Sequence, residues 1–150
     1  MNLSSKPIVS VRDTDHVLRR VDARNRHEDG RISSKLFLDR EAQPSVHLER
    51  LAVLSNIKRN HPETIFWARI NVGRIYRENL GEIVHTPTPS DYSHCLILNP
   101  EIETSSLSKN QIRKKKLEQS IGLLNIVTEK VELMNGEILV SPFCVRNVAT

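Results

Sequence analysis

The sequence lacks nearly everything that announces a chemistry. Its 2 cysteines in 150 residues exclude a disulfide scaffold and a zinc site built on cysteine pairs. Cys95 sits in the apolar run "CLIL" and Cys144 in "SPFCV", settings of buried, reduced thiols, so no disulfide is expected. Glycine is scarce, at 5 residues, and no glycine-rich phosphate loop, nucleophile elbow or helical zinc-protease motif occurs. Aromatic residues are only 4%, too few for a surface that stacks single-stranded bases; Trp67, among Ile65, Phe66 and Ile70, reads as core. No apolar run approaches the roughly 18 residues of a membrane span. The start, "MNLSSKPIVSVRD", has neither the continuous apolar segment nor the small-residue cleavage site of a secretory signal. These absences predict a water-soluble cytoplasmic protein without a cofactor.

What is present is an ordinary globular composition, 38% hydrophobic and 27% charged, in a length that suits one domain with a core of its own. The net charge of +4 is too small to imply nucleic-acid binding, but it is unevenly placed. Residues 1–60 carry 12 basic and 8 acidic side chains, residues 61–105 carry 3 and 6, and residues 106–150 carry 7 and 4, so an acidic middle lies between basic flanks.

No internal repeat, low-complexity tract or Gly/Ser linker divides the chain. Residues 1–7 read as a flexible arm, "IVSV" and "HVLRRV" as strand pieces, and "DARNRHEDG" as a surface loop. In "PSVHLERLAVL" a strand start gives way to a short helix, and "ETIFWARINV" is a strand by its β-branched and aromatic content. "VGRIYRENLG" suits a short helix stopped at Gly81, while "EIVHTP" and "HCLILNP" are strands ended by prolines. A long helix is expected over 109–134, opened by capping-box spacing between Ser108 and Gln111 and closed at Asn135 and Gly136. Its apolar stripe would be Leu117, Ile121, Leu124 and Val131, widened by Leu123, Val127 and Met134. A last strand over 137–145 completes an α+β domain of short mixed strands packed on one long C-terminal helix and a shorter one.

The strongest local signal is "DGRISSKLFL", residues 29–38. Asp29 and Gly30 suit a tight turn, and Ser33 or Ser34 a cap on a short helix holding Leu36 and Phe37. The same geometry would serve an anion: free N–H groups at a helix start, two hydroxyls and the Arg31 guanidinium match a phosphate or carboxylate. Six histidines, at positions 16, 27, 47, 61, 85 and 94, show no paired metal-ligand spacing, so no metal site is expected. On a strand His94 and Cys95 point to opposite faces and do not form a nucleophile-base pair. His94 would face a pocket while Cys95 packs inside. Arg113, Lys114, Lys115 and Lys116 stand near a helix N-terminus, where the macrodipole disfavours cations. They read as a solvated face with weak, nonspecific attraction for nucleic acid, or as a phosphate-contacting helix end.

Taken in order, "HVLRRV", "DGRISSKLF", "PSVHL" and "SHCLIL" resemble a group of small uncharacterised bacterial proteins. These have a Leu-Arg-Arg start, a Gly-Arg-x-Ser-Ser turn leading to Phe, a Pro-Ser-Val strand and a later His-headed strand. The resemblance spans about residues 16–98 and departs before His94, where "DYS" replaces an Asn-Pro-Ala type lead. It brings no known reaction, and directs attention to Arg20, Arg31, Ser33, Ser34, His47 and His94. The expectation is a binding or accessory module with an anion-recognising surface, its partner a phosphorylated ligand or another protein. Two alternatives stand beside it. One is a small enzyme acting on a nucleotide or phosphorylated substrate, with His94 or His47 in acid/base work; the other is a nucleic-acid binder using the basic helix. Oligomeric state is not legible.

Overall fold

The computed structural model describes residues 6–27, 31–39, 43–99, 101–102 and 106–143. Its framework is a seven-stranded sheet, antiparallel at every pairing, in the order β4-β5-β2-β1-β3-β6-β7. The strands are β1 (His16–Asp22), β2 (Ser45–Leu48), β3 (Thr64–Asn71), β4 (Glu82–His85), β5 (His94–Leu98), β6 (Glu129–Met134) and β7 (Glu137–Pro142). Among the described residues they are accompanied by the helices α1 (Leu54–Asn60), α2 (Val72–Arg77) and α3 (Lys109–Asn125). This is the expected α+β class. None of the helices among the described residues is long and apolar enough to cross a membrane.

Strand periodicity sorts the side chains onto two faces. On the first, Val17, Val21, Val46, Leu48, Phe66, Ala68, Ile70, Cys95 and Ile97 form the main core with Val72 and Ile75 of α2 and Leu123 and Leu124 of α3. On the second, Leu18, Trp67 and Val131 are covered by Leu54 and Ile57 of α1. The core assignment of Trp67 holds, at 1% exposure. The piece "IVSV" forms no strand; Val9 instead donates its N–H to the His85 ring. Of the expected arm, residues 1–5 lie outside the described residues, and the Pro7 carbonyl accepts from the Tyr92 hydroxyl.

The long helix is a partial correction. The capping box forms, with Ser108 Oγ accepting from the Gln111 N–H and the Gln111 side chain accepting from the Ser108 N–H. The helix stops at Asn125, and residues 129–134 are strand β6. Asn135 and Gly136, at φ 52° and 81°, make the two-residue turn of a β6-β7 hairpin instead of a helix stop. Leu123 and Leu124 are fully buried, whereas Leu117 and Ile121 are only half-buried. Met134 is exposed, and Val131 belongs to the core of the opposite face. A helical stripe cannot continue past Asn125, because "EKVELMNGEILV" satisfies its backbone better as alternating strands about an Asn-Gly turn. The terminal strand ends at Pro142, and residues 144–150 of the expected 137–145 span and beyond lie outside the described residues.

The opening stretch is core, not a connector. Asp29 and Gly30 lie outside the described residues, but Ile32, Ser34, Leu36 and Phe37 are all buried between the first face of the sheet and α3. Ser120 of α3 ties the segment down: its Oγ donates to the Ser34 carbonyl at 2.6 Å and accepts the Phe37 N–H at 3.0 Å. No helix forms here. Consecutive turns close through Leu36 N–H to Ser33 O and Leu38 N–H to Lys35 O, and Ser33 Oγ accepts from the Lys35 N–H.

Candidate functional site

β1 and β2 pair only at Val17 and Leu18, then diverge. Residues 19–22 of β1 keep β3 on one side, where the register slips between Val21 and Asp22 and twists the strand end. On the other side an open cleft of about 350 Å³ is lined by Arg19, Arg20, Asp22, Arg24, Leu38 and Asp39, with Asn25 at its rim.

The polar groups of this cleft are unequal. Arg19 is fully engaged: Nε donates to Leu36 O at 2.9 Å, Nη1 to Ser45 O at 2.7 Å and Nη2 to Asp39 Oδ1 at 2.8 Å. Its guanidinium thus spans the gap where the strands part and stitches the 31–39 segment to it. Burial works to raise the Asp39 pKa, but the Arg19 hydrogen bonds and charge outweigh it and hold the carboxyl below its usual value. Asp22 caps the short 3-10 turn Ala23–Asn25 and ion-pairs with Arg24 at 3.0 Å. Arg20 differs. Its side chain is only 27% exposed, its nearest carboxylate is Glu63 at 3.9 Å, and among the described residues its guanidinium makes no hydrogen bond. Burial, then the neighbouring Arg19 charge, lower its pKa. A guanidinium carries five N–H donors in a planar fork, and here they are unspent.

Leu38 and Asp39 also wall a second cleft of about 320 Å³, closed by Lys35, Arg113, Lys116 and Leu117. The basic run is therefore only partly a free face. Arg113 and Lys114 are exposed, Lys115 pairs with Glu101 at 2.5 Å, and Lys116 donates to the Asp39 carbonyl.

The remaining expected site residues divide by face. Ser34 is buried at 2% exposure and Ser33 is spent in its turn, while the Arg31 side chain is exposed beside the bridge from Arg26 to Ile32. The two hydroxyls and Arg31 therefore do not present themselves together to a ligand. His47 and His94 are cross-strand partners on the second face. His94 is held by Thr86, its Nδ1 lying 2.9 Å from both the Thr86 hydroxyl and carbonyl. His47 Nδ1 lies 2.7 Å from Asp91 Oδ2. A carboxylate only accepts, so this nitrogen carries the proton. Asp91 in turn accepts from the Ser93 hydroxyl at 2.5 Å and the Ser93 N–H at 2.9 Å. The Ser93 hydroxyl is thereby directed at the carboxylate and not at an imidazole. His94 does not pair with Cys95, whose thiol is buried on the first face and pushed up to about 12 by desolvation.

One group escaped sequence reading. His61 follows the C-terminus of α1, half-exposed, close enough to Arg20, His47 and Asp91 to feel their charge; burial first, then Arg20, lower its pKa. Its only sequence signal is the pair His61 and Pro62 at a helix end, which marks a turn and nothing more. Among the described residues no three His, Cys, Asp or Glu side chains converge as metal ligands.

The Asp91 clamp supports a pH prediction. Burial opposes ionisation, yet the His47 and Ser93 hydrogen bonds bring the pKa from 3.8 down to about 2. A depressed carboxylate contributes stability above its unfolded pKa and loses it as pH falls through the folded one. Asp91→Asn is expected to cost about 2 kcal/mol at neutral pH, with the difference from the parent fading between pH 5 and 2. Urea unfolding across that range checks it; a constant difference at all pH values rejects it. Compared with family models, curated proteins and solved structures, the chain matches none.

Proposed function

We propose that this protein is a binding or accessory module that holds a small phosphate- or carboxylate-bearing molecule in the cleft around Arg20. One observation carries the reading: an arginine whose side chain is only 27% exposed and whose guanidinium makes no hydrogen bond among the described residues, beside an open cleft. Partly covering a charge whose carboxylate neighbour, Glu63, stands no nearer than 3.9 Å is costly, and a bidentate oxyanion repays that cost with charge-assisted hydrogen bonds. Arg24 and Asn25 stand at the same rim to complete the recognition. The neighbouring cleft, with Leu38 and Leu117 between Lys35, Arg113 and Lys116, accommodates the apolar part of a larger ligand.

The test is thermal unfolding of the parent and Arg20→Met proteins with inorganic phosphate, nucleotides and sugar phosphates. A ligand of the folded state stabilises by about 2.7 kcal/mol at a hundredfold excess over Kd. The parent midpoint should rise with at least one panel member, and the Arg20→Met midpoint should not. Equal shifts in both proteins, or none in either, reject the site.

A small enzyme acting on a phosphorylated substrate is the second reading. His61 favours it, as a half-exposed imidazole within electrostatic reach of both Arg20 and the His47-Asp91 pair. Turnover of a panel member that His61→Gln abolishes, with binding retained, supports the enzyme; binding without turnover leaves the module.

A further inference from the structure

We propose that two copies of this chain join through β7, edge to edge and antiparallel, about a two-fold axis at Leu139. The result is one continuous sheet through both copies.

Among the described residues β7 is the last strand of the sheet and pairs with β6 alone. Its residues are unusually apolar for an edge: Ile138 is 59% exposed, Leu139 44% and Val140 49%, with Met134 of β6 at 51% beside them. Monomeric proteins blunt such edges with charged side chains, prolines, bulges or a covering segment; among the described residues β7 has only Glu137 and Pro142, at its two ends. The opposite edge is treated differently. β4 is only four residues long, and at its end the His85 ring is held between the Val9 N–H and the Tyr92 carbonyl.

The phase of the hairpin identifies the partner. In a two-residue hairpin the residues flanking the turn exchange both hydrogen bonds, so Met134 with Glu137, Glu132 with Leu139, and Lys130 with Ser141 are the bonded pairs. The Phe143 N–H to Thr128 O bond, at 2.9 Å, continues the same phase. The N–H and C=O groups of Ile138 and Val140 therefore point away from β6. Pro142 shares that outward phase, so its missing N–H takes nothing from the hairpin but shortens the free edge.

Of the symmetric registers that set outward groups opposite outward groups, one pairs every N–H and carbonyl of Ile138 and Val140 without enlisting the turn, leaving only the Pro142 carbonyl outside it. Centring on Ile138 would enlist Gly136, which the turn holds at φ 81°. Centring on Val140 would set Ile138 against Pro142 and leave a carbonyl without its donor. With the axis at Leu139, Ile138 of each copy faces Val140 of the other, and each such pair exchanges both of its backbone bonds. The side chains agree with this register: β-branched Ile138 and Val140 stack on one face, Leu139 meets its own symmetry mate on the other, and Glu137 faces Ser141, so no like charges oppose. The contact is isologous and uses up the long apolar edge found among the described residues, so assembly stops at two.

Light scattering after size exclusion of the full chain should give a dimer whose dissociation on dilution is reversible. Leu139→Lys places two ammonium groups across the axis and should yield a monomer with the parent far-UV spectrum and the melting midpoint of the parent diluted to monomer, since the side chain is exposed in the single copy. The register is read in a Cys144→Ser background. Leu139→Cys sits at a non-hydrogen-bonded pair, with Cα atoms about 4.5 Å apart, inside the range for a disulfide, and should cross-link the copies on mild oxidation. Ile138→Cys faces Val140 and should not. A monomer at every concentration, a dimer indifferent to Leu139→Lys, or equal cross-linking at 138 and 139 overturns the proposal.

Discussion

Phe37→Ala is expected to destabilise the protein by about 3–5 kcal/mol. Phe37 is fully buried, its ring lies 5.8 Å from the Arg19 guanidinium, and its own N–H is held by Ser120 of α3. Truncation removes the ring's transfer energy and leaves a void between α3 and the sheet. The surroundings cannot close that void, because Ser120 and Arg19 are fixed by hydrogen bonds to the backbone of the same segment. Urea unfolding at constant m-value measures the loss, and Phe37→Leu should recover most of it because the volume change is smaller. A nearly neutral Phe37→Ala would mean that the "DGRISSKLFL" stretch is surface, and that its burial against α3 does not hold in solution.

The second large effect is expected at Arg19. Arg19→Ala should cost about 3–5 kcal/mol, because it strands the Asp39 carboxylate and frees the carbonyls of Leu36 and Ser45 together. The Arg19 and Asp39 side chains are 12% and 28% exposed, so solvent repays only part of the loss. Lysine brings one point charge and cannot reach three acceptors in different directions, so Arg19→Lys should rescue only a minor share. The pH dependence has a definite sign. Arg19 holds the Asp39 pKa down, so its contribution is present above the unfolded carboxylate pKa and disappears as pH falls through the folded one. The gap between parent and Arg19→Ala should therefore narrow in acid. A double-mutant cycle with Asp39→Asn isolates the pair; additive losses would show that Arg19 acts through the Leu36 and Ser45 carbonyls and Phe37, not through Asp39.

Arg19 and Arg20 show how far local sequence reaches. Adjacent in "HVLRRV", they are indistinguishable by composition, yet strand alternation sends them to opposite faces. Arg19 meets the 31–39 segment and becomes a structural tie, while Arg20 lies beside the Trp67 strand and makes no hydrogen bond among the described residues. Which of the two is tied into the fold depends on where β2 parts from β1, some 25 residues away in sequence. The serines of the opening stretch show the reverse case. Hydroxyls after a turn look like anion donors in one dimension, but the apolar residues among which they stand, Ile32, Leu36 and Phe37, draw the segment into the core.

The long helix shows where periodicity misleads. Residues 117–134 contain apolar positions that satisfy a helical stripe, and nothing short-range forbids it. The Asn-Gly turn was the informative signal, since a hairpin uses both of its positive φ angles whereas a helix end needs only one.

What the sequence determined by itself is what depends on neighbours within a few residues. This covers the α+β class, the strands β1 to β5 through β-branched content and proline stops, the Ser108 capping box, and the separation of His94 from Cys95 by strand parity. Tertiary structure alone decided the Arg20 cleft, the His47-Asp91 clamp with His61 nearby, and the bare β7 edge. Each of these is set by pairings between segments distant in the chain, whose register follows from burying the two faces of one sheet at once, and no local preference encodes that choice.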